Sequence, residues 1–233
     1  MLTNKITFSF LLLLAINWIP AQCQSSIQTE VYQAFVTRNI NTWENILQQH
    51  NKPSSQEDRY DRAMAIYGFL GLCADEKQKK RGKPYLEELL SISDGLLSEN
   101  PSQPKYMALG AATLGLQLAY QMHKMMTVGP KSIKLLKKAE ALGADIPQVL
   151  VELGNQAWVA PKVFGGDKEL ATSYYRRAII LMEKNPDQLI ENWYYLKIHL
   201  VLADWYTKTG YSNRAQGIYL KVGKLEPGLI FDF

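Results

Sequence analysis

Cysteine is scarce: the 233 residues hold two, Cys23 and Cys73. If Cys23 departs with the leader described below, Cys73 stands alone and no internal disulfide can form. It ends the apolar string Tyr67-Gly68-Phe69-Leu70-Gly71-Leu72-Cys73, where a buried, inert thiol is expected. Packing alone must then hold the fold. Histidine is equally thin. His50, His123 and His199 are scattered and lack partners at the spacings metal sites use. The sequence has no Gly-x-Ser-x-Gly elbow, no His-Glu-x-x-His, no glycine-rich phosphate loop and no Cys-x-x-Cys. The adjacent carboxylates Glu87 and Glu88 point to different parts of a helix and make no acid/base pair. An enzyme is therefore the weakest reading, and no cofactor is expected. Excess charge is small too. The net charge is +4, or +3 without Lys5, which does not predict a nucleic-acid partner.

Long apolar runs are missing except at the start. Lys5 precedes an apolar run from Ile6 to Ile19, interrupted by Thr7, Ser9 and Asn17 and broken by Pro20. The run is too short for a comfortable membrane span and reads as a secretory signal peptide. Cleavage after Cys23 would leave residues 24–233 as one exported domain, periplasmic or secreted. The rival is acylation of Cys23 in the loosely lipobox-like string Pro20-Ala21-Gln22-Cys23, which would anchor the protein as a lipoprotein.

What is present is helical period. Ala171, Tyr174, Tyr175, Ala178, Ile179 and Met182 make one apolar stripe, with Asp167 placed as the N-cap of that helix. The chain divides into about five hairpins, near 26–51, 55–99, 103–143, 146–185 and 187–226. In the first, Trp43 and Ile46 face the neighbouring helices. In the second, a helix to Cys73 is followed by a basic turn and a helix opening at Pro84. Pro161 ends a helix near Ala160. The fold class is all-α.

The last hairpin carries Leu202, Ala203, Tyr206, Gly210, Ala215, Tyr219, Val222 and Pro227. This large-small-aromatic-glycine-small-aromatic spacing resembles the tetratricopeptide repeat (TPR), whose period is about 34 residues. Tyr106, Leu109 and Gly110 echo it in the third hairpin, and Leu153, Gly154, Ala171, Tyr175 and Ala178 in the fourth. The second and third hairpins depart from it in what read as longer turns, and the fourth in the insertion from Trp158 to Phe164. The resemblance implies a TPR-like α-solenoid whose concave face engages a peptide or protein segment of the envelope. Carrying the family's groove offsets onto this chain gives Arg62, Phe69 and Leu72, then Met107 and Leu114, then Gln148, Asn155 and Trp158, and finally Lys197 and Asp204. The competing expectation is a groove plugged by the chain itself. The string Phe164-Gly165-Gly166-Asp167 looks like an insertion of bacterial exported repeat proteins. The chain is also loosely similar to the helical T-components of TRAP-type transporters, which implies a carrier of a small apolar ligand.

Four further features have plain readings beside sharper ones. Phe164-Gly165-Gly166-Asp167 superficially matches a cyclase signature, yet it sits between helices, where two glycines permit a tight turn and aspartate caps the next helix. Met122-His123-Lys124-Met125-Met126 offers soft ligands for Cu(I), but methionines at a helix end are expected as flexible core filler. Two basic clusters, Lys77, Lys79, Lys80, Arg81, Lys83 and Lys131, Lys134, Lys137, Lys138, read as solvated surface. Their alternative is docking to anionic headgroups or an acidic partner. The tail Gly228-Leu229-Ile230-Phe231-Asp232-Phe233 is expected to fold back over the last helix, with a partner-docking peptide as the alternative.

Overall fold

The computed structural model describes residues 26–75 and 78–229. The leader, its cleavage or acylation at Cys23, Lys77 and the tail from Ile230 onward lie outside the described residues. Within them every regular element is helical. Ten α-helices run in order: α1 (Ser26–Val36), α2 (Ile40–Gln49), α3 (Gln56–Asp75), α4 (Lys79–Glu99), α5 (Pro104–Tyr120), α6 (Met125–Gly143), α7 (Pro147–Val159), α8 (Lys168–Met182), α9 (Trp193–Lys208) and α10 (Ser212–Leu225). Each odd-numbered helix packs on the helix that follows it, and the pairs match the five sequence segments to within a few residues at most ends.

The stops and starts follow local chemistry. Asn39 caps α2 by accepting from the Thr42 N–H, and Asn192 caps α9 by accepting from the Tyr195 N–H. Asp167 Oδ1 accepts from the N–H groups of Glu169 and Leu170, both at 2.9 Å, and opens α8. Before it, Gly165 turns at φ +88°. A Cβ on Gly166 would lie 1.7 Å from the Ala160 carbonyl oxygen, so only glycine fits there. Gly210 makes the α9–α10 turn at φ +83°. α7 ends at Val159, ahead of Pro161, and Ala160 is already extended.

Two expectations are corrected. The basic segment before Pro84 is not a turn: Lys79 to Lys83 form the first turn of α4, and Pro84 lies inside the helix. Lysines at a helix N-terminus oppose its dipole, which hid the helix start from the sequence pattern. Nor are the turns of the second and third hairpins long. The helices themselves are long, with 20 and 21 residues in the second pair and 17 and 19 in the third.

The pairs also meet out of sequence. α1 packs on both α3 and α9, bringing the first pair against the last. Trp43 and Trp193 stand edge to face with centroids 5.5 Å apart, and Phe35 joins them at 6.1–6.4 Å. The Trp193 indole N–H donates to Gln28 Oε1 at 3.0 Å, and the Tyr32 hydroxyl donates to Glu226 at 2.7 Å. Leu229 is buried at the same seam, so the chain past α10 folds inward at least to that residue.

Gly68 of α3 lies beneath both indoles: a Cβ there would sit 2.6 Å from Trp43 and 2.8 Å from Trp193. Gly68→Ala should therefore overpack the seam and cost about 1–3 kcal/mol. Urea unfolding would show this as a lower midpoint at unchanged slope. A variant as stable as the parent would show that the indoles do not rest on α3.

Candidate functional site

The seam between first and last pairs leaves a cleft of about 350 Å³. Its floor is a glycine face. Gly68 and Gly71 lie one turn apart on α3, where the two indoles cover Gly68 and the Lys197 ammonium stands over Gly71, and with Leu72 beside them they floor a trough. Phe35, Trp43 and Trp193, in mutual ring contact, line it together with Leu200 and Val201 of α9, Tyr219 and Leu229. The charged lining consists of Arg38, Lys197 and Asp204. Arg38 sits in the α1–α2 turn at φ +50°, a left-handed position that reverses the chain beside the cleft. The Lys197 ammonium lies 4.8 Å from the Tyr67 ring centroid and 5.9 Å from that of Trp193, an arrangement that favours a cation over the rings. Asp204 is exposed and pairs with Lys208 at 2.7 Å.

Lys197 also reaches a second, fully buried polar group. Glu152 of α7 is enclosed by α3, α7 and α9. It accepts from Asn155 Nδ2 at 2.9 Å and from the Tyr194 hydroxyl at 3.3 Å, with Tyr67 as a third donor. Asn155 receives the Tyr175 hydroxyl at 2.8 Å and donates to the Tyr67 oxygen at 3.3 Å. One turn before Glu152, Gln148 accepts from the Tyr60 hydroxyl and places its amide 3.3 Å from the Met64 sulfur. Burial raises the Glu152 carboxyl above its ordinary range, against the hydrogen bonds of Asn155, Tyr67 and Tyr194 and the charge of Lys197. Burial likewise pushes the Tyr60, Tyr67, Tyr175 and Tyr194 hydroxyls up, so all four stay protonated donors. His199, on the same helix as Lys197, is held below its usual value by burial, while Nδ1 meets the Tyr195 carbonyl at 3.0 Å.

The ten residues named from the repeat offsets separate into four groups. Leu72, Lys197 and Asp204 come together at the cleft. Arg62, Phe69, Met107 and Gln148 lie in the packing. Arg62 is 3% exposed and binds Glu88 and the carbonyls of Leu47 and His50, and Phe69 is fully buried edge to face with Tyr85. Asn155 belongs to the buried polar layer. Leu114 and Trp158 are half-buried elsewhere, Trp158 against Trp205 and beneath the Lys168 ammonium. The repeat offsets did not supply Phe35, Arg38, Trp43, Gly68, Gly71, Trp193, Leu200 or Val201. They work within a hairpin, whereas the cleft lies between the two ends of the chain. The Gly68-x-x-Gly71 spacing on one helix face was the available signal.

The methionines of Met122-His123-Lys124-Met125-Met126 are not core filler. Met122, Met125 and Met126 are 63%, 51% and 84% exposed. Among the described residues no group of three His, Cys, Asp or Glu side chains could hold a metal ion.

Because Glu152 is raised in the fold, the native state binds more protons than the unfolded chain above pH 4.5. Stability from this group is full at acid pH and falls as pH rises through its folded value. Glu152→Gln should therefore gain on the parent between pH 4.5 and 7.5, as read by denaturant midpoints at each pH. A gap that is constant or narrows with pH would contradict the burial account. In comparisons with known proteins, no family model and no curated protein sequence matches the chain.

Proposed function

We propose that this chain is a noncatalytic binding protein, a TPR-like helical-repeat solenoid exported as one domain. Its seam cleft takes an extended segment of a peptide or protein partner in the envelope. The observation that carries this reading is the cleft that opens beside the Trp43–Trp193 contact, lined by Gly71, Leu72, Leu200 and Val201, with Lys197 at its edge. A volume of about 350 Å³ accommodates one or two large apolar side chains rather than a folded surface. Phe35 and Tyr219, partly exposed beside the two buried indoles, supply aromatic contact area at low entropic cost. Lys197 and Arg38 orient an acidic neighbour on the segment. The cleft lining holds one carboxylate, Asp204, which pairs with Lys208, and no histidine, so recognition suits it better than proton transfer.

The solenoid here would be a short one closed on itself, its inner wall filled by the tyrosines around Glu152 rather than left as an open groove. That filling moves the binding surface from the inner wall to the seam. A second reading, a carrier of a small apolar ligand, is favoured by the size of the cleft, which lies at the small end of organic-ligand sites.

A random-peptide display selected on the chain tests the proposal. Enriched peptides should carry a large apolar residue beside Asp or Glu. Leu72→Arg and Leu200→Arg, both at half-buried cleft positions, should weaken a selected peptide at least about tenfold by filling the trough with charge. Trp158→Ala, outside the cleft, should leave it unchanged. No cleft-dependent enrichment, together with a lipid-sized mass retained in native mass spectrometry, would replace the peptide reading with the carrier.

A further inference from the structure

From Asn100 to Ala139 the chain contains no Asp or Glu, while it carries Lys105, Lys124, Lys131, Lys134, Lys137 and Lys138. This stretch spans α5 and α6 up to Ala139, and Glu140 near the end of α6 is the one carboxylate in the pair, so this flank of the fold is strongly cationic. Lys105 is neutralised from outside by Glu57. The four lysines of α6 are exposed and form no ion pair among the described residues. They share the outer face of the helix with Met126, at its first turn. From Met126 to Lys138 that face runs about 18 Å at 1.5 Å per residue.

The basic start of α4 is fixed to the same end of the fold. The Lys79 ammonium donates to the Ala119 carbonyl at 2.8 Å, one residue before α5 ends at Tyr120. Tyr120 itself donates to the Leu70 carbonyl and lies against Gly82 of α4. Lys80 and Lys83 are therefore carried beside the α5–α6 turn, both exposed. From that turn project Met122, Met125 and Met126, three exposed large apolar side chains within five residues. Three exposed thioethers at the basic end of the fold are costly to leave in water and are not needed by the core.

We propose that this tip is a docking surface for a bilayer bearing anionic headgroups. Each lysine near such a surface is attracted by its negative potential, and its aliphatic stem can lie along the interface while the ammonium stays among phosphates. The methionines enter the boundary beneath the headgroups, where flexible apolar chains replace water with acyl chain. An acidic protein surface would meet the lysines as well, but it would set its charges against the three thioethers. The bilayer alone supplies an anionic layer directly above an apolar one. The inference stands on the α4–α6 end of the fold and does not rest on the cleft.

The test uses the full chain made by cell-free synthesis, so that Cys23 carries no acyl group and every variant shares the same leader. Cosedimentation is compared on phosphatidylcholine vesicles with and without phosphatidylglycerol. The parent should prefer the anionic vesicles at least about tenfold and lose the preference as salt is raised. Lys131→Glu/Lys134→Glu/Lys138→Glu should reduce anionic partitioning at least about tenfold, and Met122→Ser/Met125→Ser/Met126→Ser by several-fold, with circular dichroism unchanged because all six positions are exposed. Equal partitioning to both vesicle types, or either variant binding as the parent does, overturns the proposal. Retention on soluble polyglutamate without an anionic-vesicle preference overturns it in favour of an acidic protein partner.

Discussion

Trp43 and Trp193 meet over a glycine, and the arrangement of the other helices depends on that contact. It joins α2 to α9 above α3, while Trp193 and Tyr32 add hydrogen bonds across 165 and 194 residues of sequence. Helical pairs stacked in file need contact only their neighbours. Here the first pair and the last share a boundary, so the ends of the stack are covered by each other. The stabilisation is apolar and aromatic, with polar partners supplied to each indole: Trp43 donates to the Ala65 carbonyl and Trp193 to Gln28. The same contact borders the cleft, which opens beside the paired rings.

The meeting of α3, α7 and α9 has a different character. Glu152 is a carboxyl group without an ion pair among the described residues, surrounded by hydroxyl and amide donors. An arrangement of this kind tolerates a buried acid because each oxygen has a donor, and it fixes register because any slip would leave a donor or acceptor bare. Lys197 links this layer to the cleft, standing over Tyr67 on one side and lining the open space on the other. An occupant that draws the Lys197 ammonium outward would remove charge that favours ionised Glu152, so binding and the protonation of the layer are electrostatically connected.

The helices and their pairing were legible because apolar residues recur at helical spacing and because Asp167, Pro161 and Gly210 mark ends by mechanisms that act within a few residues. The start of α4 was not, since five of its first six residues are Lys, Arg or Gly and oppose the usual signals. Of the cleft lining, the repeat offsets named Leu72, Lys197 and Asp204 on α3 and α9 but not Trp43, Gly68 or Trp193. Their relation is tertiary, and no periodicity within one hairpin encodes which hairpins close on each other. Arg62 and Phe69 show the converse. Their types suit a binding face, yet Glu88 and Tyr85 of α4 enclose them.

Closure of the first pair on the last is the claim from which the cleft follows, and α1 reports on it. With 11 residues it is too short to persist as an isolated helix. Hydrogen exchange followed by mass spectrometry, on the parent and on Trp43→Ala, measures its docking directly. Protection of α1 together with α9 in the parent, and joint loss from both in the variant, is the predicted result. Exchange of α1 at the rate of an unfolded chain, while α3 to α9 remain protected, would contradict the account.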